Sequence, residues 1–145
     1  MDTQGNARMV DVGEKKIQKR TARATGLIHM SAATMEAIKT DQVKKGNVLA
    51  TARIAGIQAA KATSSLIPLC HPLPLDSVRI DFEFQDKGVQ ATCTVSCQAR
   101  TGVEMEALTG TTLALLTIYD MCKAIDKGMI LEQVRLLHKE EEDLS

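Results

Sequence analysis

The amino-acid sequence predicts an α+β fold of the ferredoxin-like type, a sandwich in which helices cover one face of a single antiparallel sheet. One observation is the order of the predicted segments, which is strand, helices, hairpin, helix and strand. Another is a two-residue periodicity in the hairpin, where apolar side chains take the even positions of residues 78–84 and the odd positions of residues 89–99. The fold class by itself leaves the function open.

The first half of the fold begins with a predicted strand over about residues 21–30. Ser31 then caps a helix that continues to about Ile38. A second helix runs from Asn47, its predicted cap, to about Thr63, because this stretch is rich in alanine. Both helices precede the hairpin, so we expect them to cover the sheet.

Small residues recur every four positions along the second helix, at Ala52, Gly56 and Ala60. Residues four apart lie on the same side of a helix, so this side is smooth and lets another backbone approach closely. Gly56 is also compatible with a helix glycine that is merely tolerated. The alanines around it favour close packing.

The second half of the fold follows the hairpin, whose two strands are joined by the turn at residues 85–88. A helical pattern covers about residues 104–125, and Gly128 ends it. Residues 129–139 then read as the last strand, and the acidic residues 140–143 as a solvated tail.

The 145 residues suffice for one domain with a buried core. We expect a flexible N-terminal arm over residues 1–14, a single domain that holds the site over residues 15–139, and an acidic tail over residues 140–145. No apolar run approaches the roughly 20 residues of a membrane span, and the N-terminus lacks a signal-peptide pattern. The four cysteines form no CxxC pair and no dense disulfide framework, which is typical of a reducing cytoplasm.

The formal charge is zero overall but uneven along the chain, since residues 1–61 carry +6 and residues 62–145 carry −6. This asymmetry suits an anionic ligand held by the first half, and it equally suits halves that pair with each other or across subunits. The three aromatic residues argue against a nucleic-acid binder that stacks bases.

All three prolines lie in the apolar loop LIPLCHPLPL, residues 66–75. Each proline fixes its own φ and biases the preceding residue toward extended backbone. An apolar loop requires a cover, which is either the domain's own core or a second chain. His71 in its middle is either a structural hydrogen-bonding group or a group held against a ligand.

Two sets of charged residues are candidates for chemistry. Glu104 and Glu106 stand at a predicted helix start, where acids also serve as simple caps. Asp120 interrupts an apolar stretch, so its carboxylate must be paired or have an elevated pKa. Lys123 lies three residues on and can pair with it, either as a structural ion pair or as an acid–base pair in a cleft.

The distance between these sets restricts the site. Fourteen residues separate Glu106 from Asp120, which is about 21 Å along one continuous helix. One compact ligand could hardly touch both within one subunit. The alternatives are a helix that breaks near Gly110 and a site that combines two chains, which implies an oligomer.

The segments LIPLCHPL, TGVEMEAL and YDMCKA, together with MVDV at residues 9–12 and ARIAGIQAAK before the proline loop, resemble the cyclic pyranopterin monophosphate synthase family, also called molybdenum cofactor biosynthesis protein C. The resemblance covers nearly the whole chain. It implies a cytoplasmic lyase that converts a 3′,8-cyclised dihydroguanosine triphosphate to cyclic pyranopterin monophosphate and pyrophosphate. It also implies a hexamer, built as a trimer of dimers, with sites between subunits and no resident cofactor. Where the family has a glycine-rich tail with lysine, this chain has EEEDLS.

The resemblance also implies which residues form the site. It matches Asp120 to the catalytic aspartate and Lys123 to its partner. The remaining matched positions are substrate-binding: Leu69, Cys70, His71, Met105, Glu106, Lys45, Glu104, Lys139 and Arg20. Convergent cations are what a triphosphate requires.

Other function classes make different demands on the residues. A non-catalytic, oligomeric nucleotide-binding protein would need the same cations but no Asp120–Lys123 pair. An RNA-binding module would need aromatics exposed on the sheet, whereas Phe82 and Phe84 share the parity of the predicted core. The three histidines have no metal-ligand spacing, so we expect no metal site, although Mg²⁺ is compatible with the substrate phosphates.

Overall fold

Four strands and four helices follow one another in the computed structural model, which describes residues 2–145. In chain order they are β1 (Gln18–His29), α1 (Ala32–Lys39), α2 (Val48–Lys61), α3 (Thr63–Leu66), β2 (Ser77–Gln85), β3 (Gly88–Ala99), α4 (Glu104–Cys122) and β4 (Ile130–Asp143). The predicted elements are all present; the predicted second helix is α2, and the single turn α3 that follows it was not predicted.

The strands form one antiparallel sheet in the order β2-β3-β1-β4. Helix α4 packs on β1, β3 and β4, helix α2 packs on β2 and on α4, and α1 lies against β3. This is the predicted ferredoxin-like α+β sandwich, with β1 and β3 in the centre of the sheet and β2 and β4 at its edges.

The alternation predicted for the hairpin is confirmed by burial. On β3 every second side chain from Val89 to Ala99 is buried, while the side chains between them are not. On β2 only Ile80 is fully buried, because this strand lies at the edge of the sheet. Phe82 and Phe84 pack against the core as predicted, and therefore are not free to stack on nucleic-acid bases.

Helices α2 and α4 approach each other closely where two glycines meet. A Cβ added to Gly56 would lie 2.8 Å from the carbonyl oxygen of Gly110 and would also meet the side chain of Ile80. A Cβ added to Gly110 would in turn lie 3.2 Å from the carbonyl oxygen of Gly56. The predicted smooth side of α2 is therefore used for close packing, and this packing holds α4 in place between the sheet and α2.

The predicted helix caps are present, and one of them has an additional partner. The Ser31 hydroxyl accepts the Thr34 amide at 3.1 Å, and the Asn47 side chain accepts the Ala50 amide at 2.9 Å. Asp126 accepts the Ser31 amide at 3.0 Å and the Thr34 hydroxyl at 2.9 Å. Asp126 thereby ties the chain just after α4 to the start of α1.

The chain departs from the predicted boundaries at its C-terminal end. Helix α4 ends at Cys122 rather than near residue 125, and β4 continues to Asp143. The acidic residues that were expected to form a separate tail instead pair with β1 as the end of β4. Glu141 meets Arg20 at 3.0 Å, and Asp143 meets Lys16, just before β1, at 2.9 Å. The oppositely charged halves of the sequence thus pair with each other within the chain.

Residues 2–17 contain neither helix nor strand. Whether they form a flexible arm stays a prediction, although one contact of this segment with the proline loop is described below. Among the helices of residues 2–145, none is both long enough and apolar enough to cross a membrane.

Candidate active site

Helix α4 carries candidate residues at both of its ends. It is continuous from Glu104 to Cys122, which excludes the predicted alternative of a break near Gly110. Glu106 and Asp120 therefore lie about 21 Å apart along its axis. We name two groups accordingly. The N-terminal cluster consists of Cys70, Glu104, Met105, Glu106 and Lys139, and the C-terminal cluster consists of Lys45, Asp120 and Lys123.

The C-terminal cluster is a carboxylate held between two lysines. Asp120 Oδ1 lies 3.0 Å from Lys123 Nζ, and Asp120 Oδ2 lies 3.1 Å from Lys45 Nζ. Lys45 Nζ also donates to the main-chain carbonyl of Asp120 at 3.1 Å. Lys45 comes from the turn that precedes α2, so this cluster joins two distant parts of the chain.

The carboxylate of Asp120 is exposed as well as paired, since 56% of its side chain is accessible. Hydrogen bonds from Lys123 and then Lys45, followed by their charges, lower the pKa of Asp120 below its ordinary value. Of the two sequence-based alternatives, the paired carboxylate is confirmed and the elevated pKa is wrong. The cluster is a negative charge flanked by two ammonium groups, and all three side chains are accessible to solvent.

The N-terminal cluster has the opposite character because its central carboxylate, Glu106, is buried. Glu106 is 3% exposed, and its Oε2 accepts the Sγ–H of Cys70 at 3.7 Å. Burial raises the pKa of Glu106, and burial together with the Glu106 charge raises the pKa of the Cys70 thiol to about 11. At neutral pH the thiol is therefore protonated and acts as a hydrogen-bond donor.

Two carboxylate oxygens of this cluster are buried without a hydrogen-bond partner among the described residues, Glu104 Oε2 and Glu106 Oε1. The other oxygen of Glu104 has one cation near it, Lys139 Nζ at 3.7 Å. Buried acceptors without partners are rare because each one loses its hydrogen bonds to water. These two oxygens are suited to accept N–H or O–H groups of a ligand.

The proline loop is covered by the chain's own core only in its second part. Leu73 and Leu75 pack against the core. Leu66 and Leu69, by contrast, are 54% and 46% exposed. Next to Leu66, an apolar groove of about 400 Å³ opens between the loop and the outer side of α4, and Met105 contributes to it. The part of the loop nearest the N-terminal cluster is thus left uncovered by this chain.

His71 bonds to the N-terminal segment. Its Nε2 lies 2.6 Å from the carbonyl oxygen of Val10. A carbonyl oxygen only accepts, so Nε2 carries the hydrogen and Nδ1 of the neutral ring is an acceptor. The ring also lines a cavity of about 320 Å³ together with Val12, Ile17 and Arg100. The structural bond is present, and contact of His71 with a ligand stays a prediction.

Comparison with known proteins identifies the group to which this arrangement belongs. The sequence model of the MoaC family matches residues 9–141. The chain belongs to the MoaC family. A curated relative from Novosphingobium aromaticivorans, named cyclic pyranopterin monophosphate synthase, is 57% identical over 139 residues, which are 96% of this chain and 88% of that protein. The MoaC match contains every residue of both clusters.

In this MoaC-family chain, the predicted site residues are brought together in part. Asp120, Lys123 and Lys45 form one group in direct contact, and Cys70, Glu106, Glu104 and Lys139 form a second group through pairwise contacts. The structure does not bring the two groups together within one chain. Leu69 is exposed beside the second group, and His71 is turned toward Val10.

Arg20, predicted to bind phosphate, is engaged by the protein itself. Its side chain is 10% exposed, and Nη1 lies 3.0 Å from Glu141 Oε1. Nε and Nη2 donate to the carbonyl oxygens of Ala99 and Arg100, each at 3.4 Å. Sequence reasoning missed Glu141 because residues 140–145 were taken as a tail. No local pattern marks it, because the pairing of Glu141 with Arg20 depends on the register between β4 and β1.

The described residues offer no group of three or more His, Cys, Asp or Glu side chains placed to hold a metal ion. All four cysteines are free thiols, and Cys93, Cys97 and Cys122 are buried in the core.

Proposed function

We propose that this chain is a cytoplasmic lyase that converts (8S)-3′,8-cyclo-7,8-dihydroguanosine 5′-triphosphate to cyclic pyranopterin monophosphate and pyrophosphate, a step of molybdenum cofactor biosynthesis. The observation that carries the proposal is the Lys45–Asp120–Lys123 cluster, found in a chain of the MoaC family. The named relative, 57% identical over nearly the whole chain, supports the same activity.

Asp120 and Lys123 form the proton-transfer pair in this proposal. The reaction opens the purine ring system and rebuilds it as a pterin, so protons must leave some atoms and reach others. A carboxylate and an ammonium 3.0 Å apart can accept and donate protons, and each stabilises the charged state of the other. Their exposure lets a substrate enter between them.

The substrate's phosphates are held by the lysines of both clusters. Lys45 and Lys139 each carry an ammonium group that is about half exposed, so each can turn toward an anion. Pyrophosphate leaves as an anion, and ammonium groups near it stabilise the charge that develops on the departing oxygen. The protein supplies no resident cofactor in this scheme, and Mg²⁺ would enter with the phosphates.

The acceptors of the N-terminal cluster hold the heterocycle. Glu104 Oε2 and Glu106 Oε1 are buried acceptors without partners, and a guanine-derived ring carries N–H groups. A site that leaves polar atoms unpaired when the ligand lacks matching groups discriminates strongly between ligands. Cys70, His71 and Leu69 of the proline loop lie on the same side of the substrate, as one wall of the pocket.

Each complete site is formed by two subunits. The clusters of one chain are about 21 Å apart, too far for one compact substrate to reach both. The side of α4 between them is apolar and exposed: Leu116 is 49% accessible, and the groove beside Leu66 is nearly free of polar atoms. A second copy packed there would cover this surface and bring its own cluster alongside. The proposed assembly is a homohexamer, a trimer of dimers.

The activity is tested with purified chain and the cyclised triphosphate, by measuring pterin and pyrophosphate together. We expect Asp120→Asn and Lys123→Ala each to lower kcat by about 10²- to 10⁴-fold, the usual contribution of general acid–base groups. Lys127→Ala is the matched control, because Lys127 is exposed four residues beyond Lys123.

The outcome separates this function from that of a non-catalytic nucleotide-binding protein. If the wild-type chain binds the triphosphate and releases no pyrophosphate, the lyase assignment is wrong. If the Asp120→Asn variant makes pterin at the wild-type rate while its fold is unchanged, the lyase assignment survives and the role of Asp120 is wrong.

A further inference from the structure

Arg20 is a buried cation whose guanidinium contacts the protein itself. All three of its nitrogen atoms have protein partners: Glu141 for Nη1, the Ala99 carbonyl for Nε and the Arg100 carbonyl for Nη2. With 10% of the side chain exposed, little of it is free to meet an anion from solvent. A guanidinium has a fixed fork of donors, so partners on different segments are held at defined relative positions.

The sheet register explains how Arg20 reaches these partners. Arg20 lies opposite Cys97 on β3 and opposite Glu141 on β4. Residues that are directly opposite in antiparallel strands point to the same face. Arg20 and Cys97 are buried on the face of the sheet that α4 covers. Glu141 therefore also points toward the helices.

The two carbonyls held by Arg20 stand where β3 ends. From Ala99 only residues 100–103 remain before α4 begins at Glu104. No side chain caps the start of α4, so the path of this short connection determines where Glu104 and Glu106 lie. Arg20 fixes the beginning of that path.

The carboxylate that pairs with Arg20, Glu141, holds the end of β4. Glu141 lies two residues after Lys139 on the same face of β4, and Lys139 Nζ reaches Glu104. Besides its ladder with β1, the end of β4 is held by two ion pairs, and Glu141–Arg20 is the one nearer to Lys139. Pairing Glu141 with Arg20 therefore also sets the position from which Lys139 extends.

We propose that Arg20 and Glu141 act as a positioning pair for the N-terminal cluster, with Arg20 holding the connection that leads to Glu104 and Glu106 and Glu141 holding the strand that carries Lys139. This inference rests on the lyase function proposed above. It assigns a role to Glu141, and it gives Arg20 a role other than a direct contact with the substrate phosphates.

A kinetic comparison of three variants tests the pair: Arg20→Lys, Glu141→Gln and the combination of both. Lysine keeps the charge and loses the fork, so we expect Arg20→Lys to lower kcat by about 10- to 100-fold, the effect of a misplacement of about 1 Å. KM for the cyclised triphosphate should change less than about threefold, because binding cations are retained. The double variant should be no worse than Arg20→Lys alone, because residues that act as one unit are not additive.

A direct phosphate contact predicts a different pattern. Arg20→Lys would then raise KM with little change in kcat, and Glu141→Gln would lower KM by freeing a cation. Either result overturns the positioning role. The matched control is Glu142→Gln, whose residue lies opposite Lys19 on the other face of β4 and should behave as wild type in every assay.

A second measurement does not depend on turnover. Cys70 is the one cysteine of the described chain that is not fully buried, and its thiol bonds to Glu106. If the pair positions Glu106, then Arg20→Lys and Glu141→Gln should speed alkylation of Cys70 by iodoacetamide at least about threefold, because the thiol loses a neighbouring carboxylate that raises its pKa. If the labelling rate is unchanged in both variants, the positioning role of the pair is wrong, even when the wild-type chain has no lyase activity. If labelling is faster in a chain without lyase activity, the positioning role stands and the proposed function is wrong.

Discussion

The two ends of α4 use opposite electrostatics. At its start Glu106 is buried, has a pKa raised by burial, and keeps one oxygen without a partner. At its end Asp120 is exposed, has a lowered pKa, and has a lysine on each oxygen. The same functional group is therefore a buried, partly unpaired acceptor at one end and an exposed, fully paired charge at the other.

The difference arises from what covers each end rather than from the helix itself. The proline loop reaches the start of α4, where Cys70 donates to the buried Glu106. At the other end α4 stops at Cys122, and Asp120 stays exposed while two lysine side chains contact it. A carboxylate's role in this protein is thus set by the neighbouring segment, which periodicity within the helix does not reveal.

The strongest test of the two ends of α4 combines two variant chains, each with one inactivated end. We expect Glu106→Gln and Asp120→Asn each to have little activity alone. When they are co-expressed and mixed at random, about one quarter of the sites would contain both intact clusters if each site uses two chains. Recovery near that fraction supports the shared site, and no recovery in a verified mixed oligomer means that each site lies within one chain.

A smaller effect is expected from removing one of the lysines around Asp120. Lys45→Ala should lower kcat/KM by about 100-fold, because the carboxylate loses one of its two restraints. The pKa of Asp120 should rise toward its ordinary value, since a hydrogen bond and a positive charge that lower it are gone. Carboxyl ¹³C NMR titration measures this shift. Lys44→Ala is the control, and a shift of equal size in that variant would contradict the assignment.

Burial of Glu106 at the start of α4 should change how the stability of the protein depends on pH. The pKa of Glu106 is higher in the folded than in the unfolded chain, so the folded state binds more protons and loses stability as pH rises above the unfolded pKa. Glu106→Gln removes that penalty. Its Tm should match wild type near pH 4 and exceed it at pH 7 to 8, whereas Glu83→Gln on the exposed side of β2 should show no such divergence.

The smallest effect is expected from Asp126, which follows α4 and bonds to the start of α1. Asp126→Asn loses an acceptor oxygen among the bonds to Ser31, Thr34 and Gly128, so it should cost about 1 kcal/mol at pH 7, as for a helix cap. The Ser31 amide in particular lowers the pKa of Asp126, so this stabilisation is present above the unfolded pKa and is lost as pH falls through the folded pKa. Chemical denaturation at several pH values measures it, with Asp86→Asn in the hairpin turn as the control.

Much of the fold followed from the sequence, because local patterns determine it. The alternation in the hairpin, the caps at Ser31 and Asn47 and the small residues around Gly56 all act over a few residues. The end of β4 was mistaken for a tail because four consecutive acids resemble a solvated run. Only the register with β1 places Arg20 opposite Glu141 and Lys19 opposite Glu142.

The candidate site was harder to predict for the same physical reason. The Asp120–Lys123 pair is local and was expected, and it is present at 3.0 Å. Contacts such as Lys45 with Asp120 and Cys70 with Glu106 join segments that are 75 and 36 residues apart. The resemblance implied that these residues belong to one site, and the structure adds that they form two clusters with different environments.

The close approach of Gly56 and Gly110 fixes the position of α4 along α2. Its middle cannot slide along α2, because each backbone touches the other there. The number of residues between Glu106 and Asp120 therefore sets two quantities. One is their separation along the helix axis, and the other is the angle between them around it, since each residue turns the helix by about 100°. Fourteen residues come close to four full turns. A single residue inserted after Gly110 would advance Asp120 by only about 1.5 Å yet rotate it by about 100° around the helix, so sequence length on this segment can change only in steps near a whole turn.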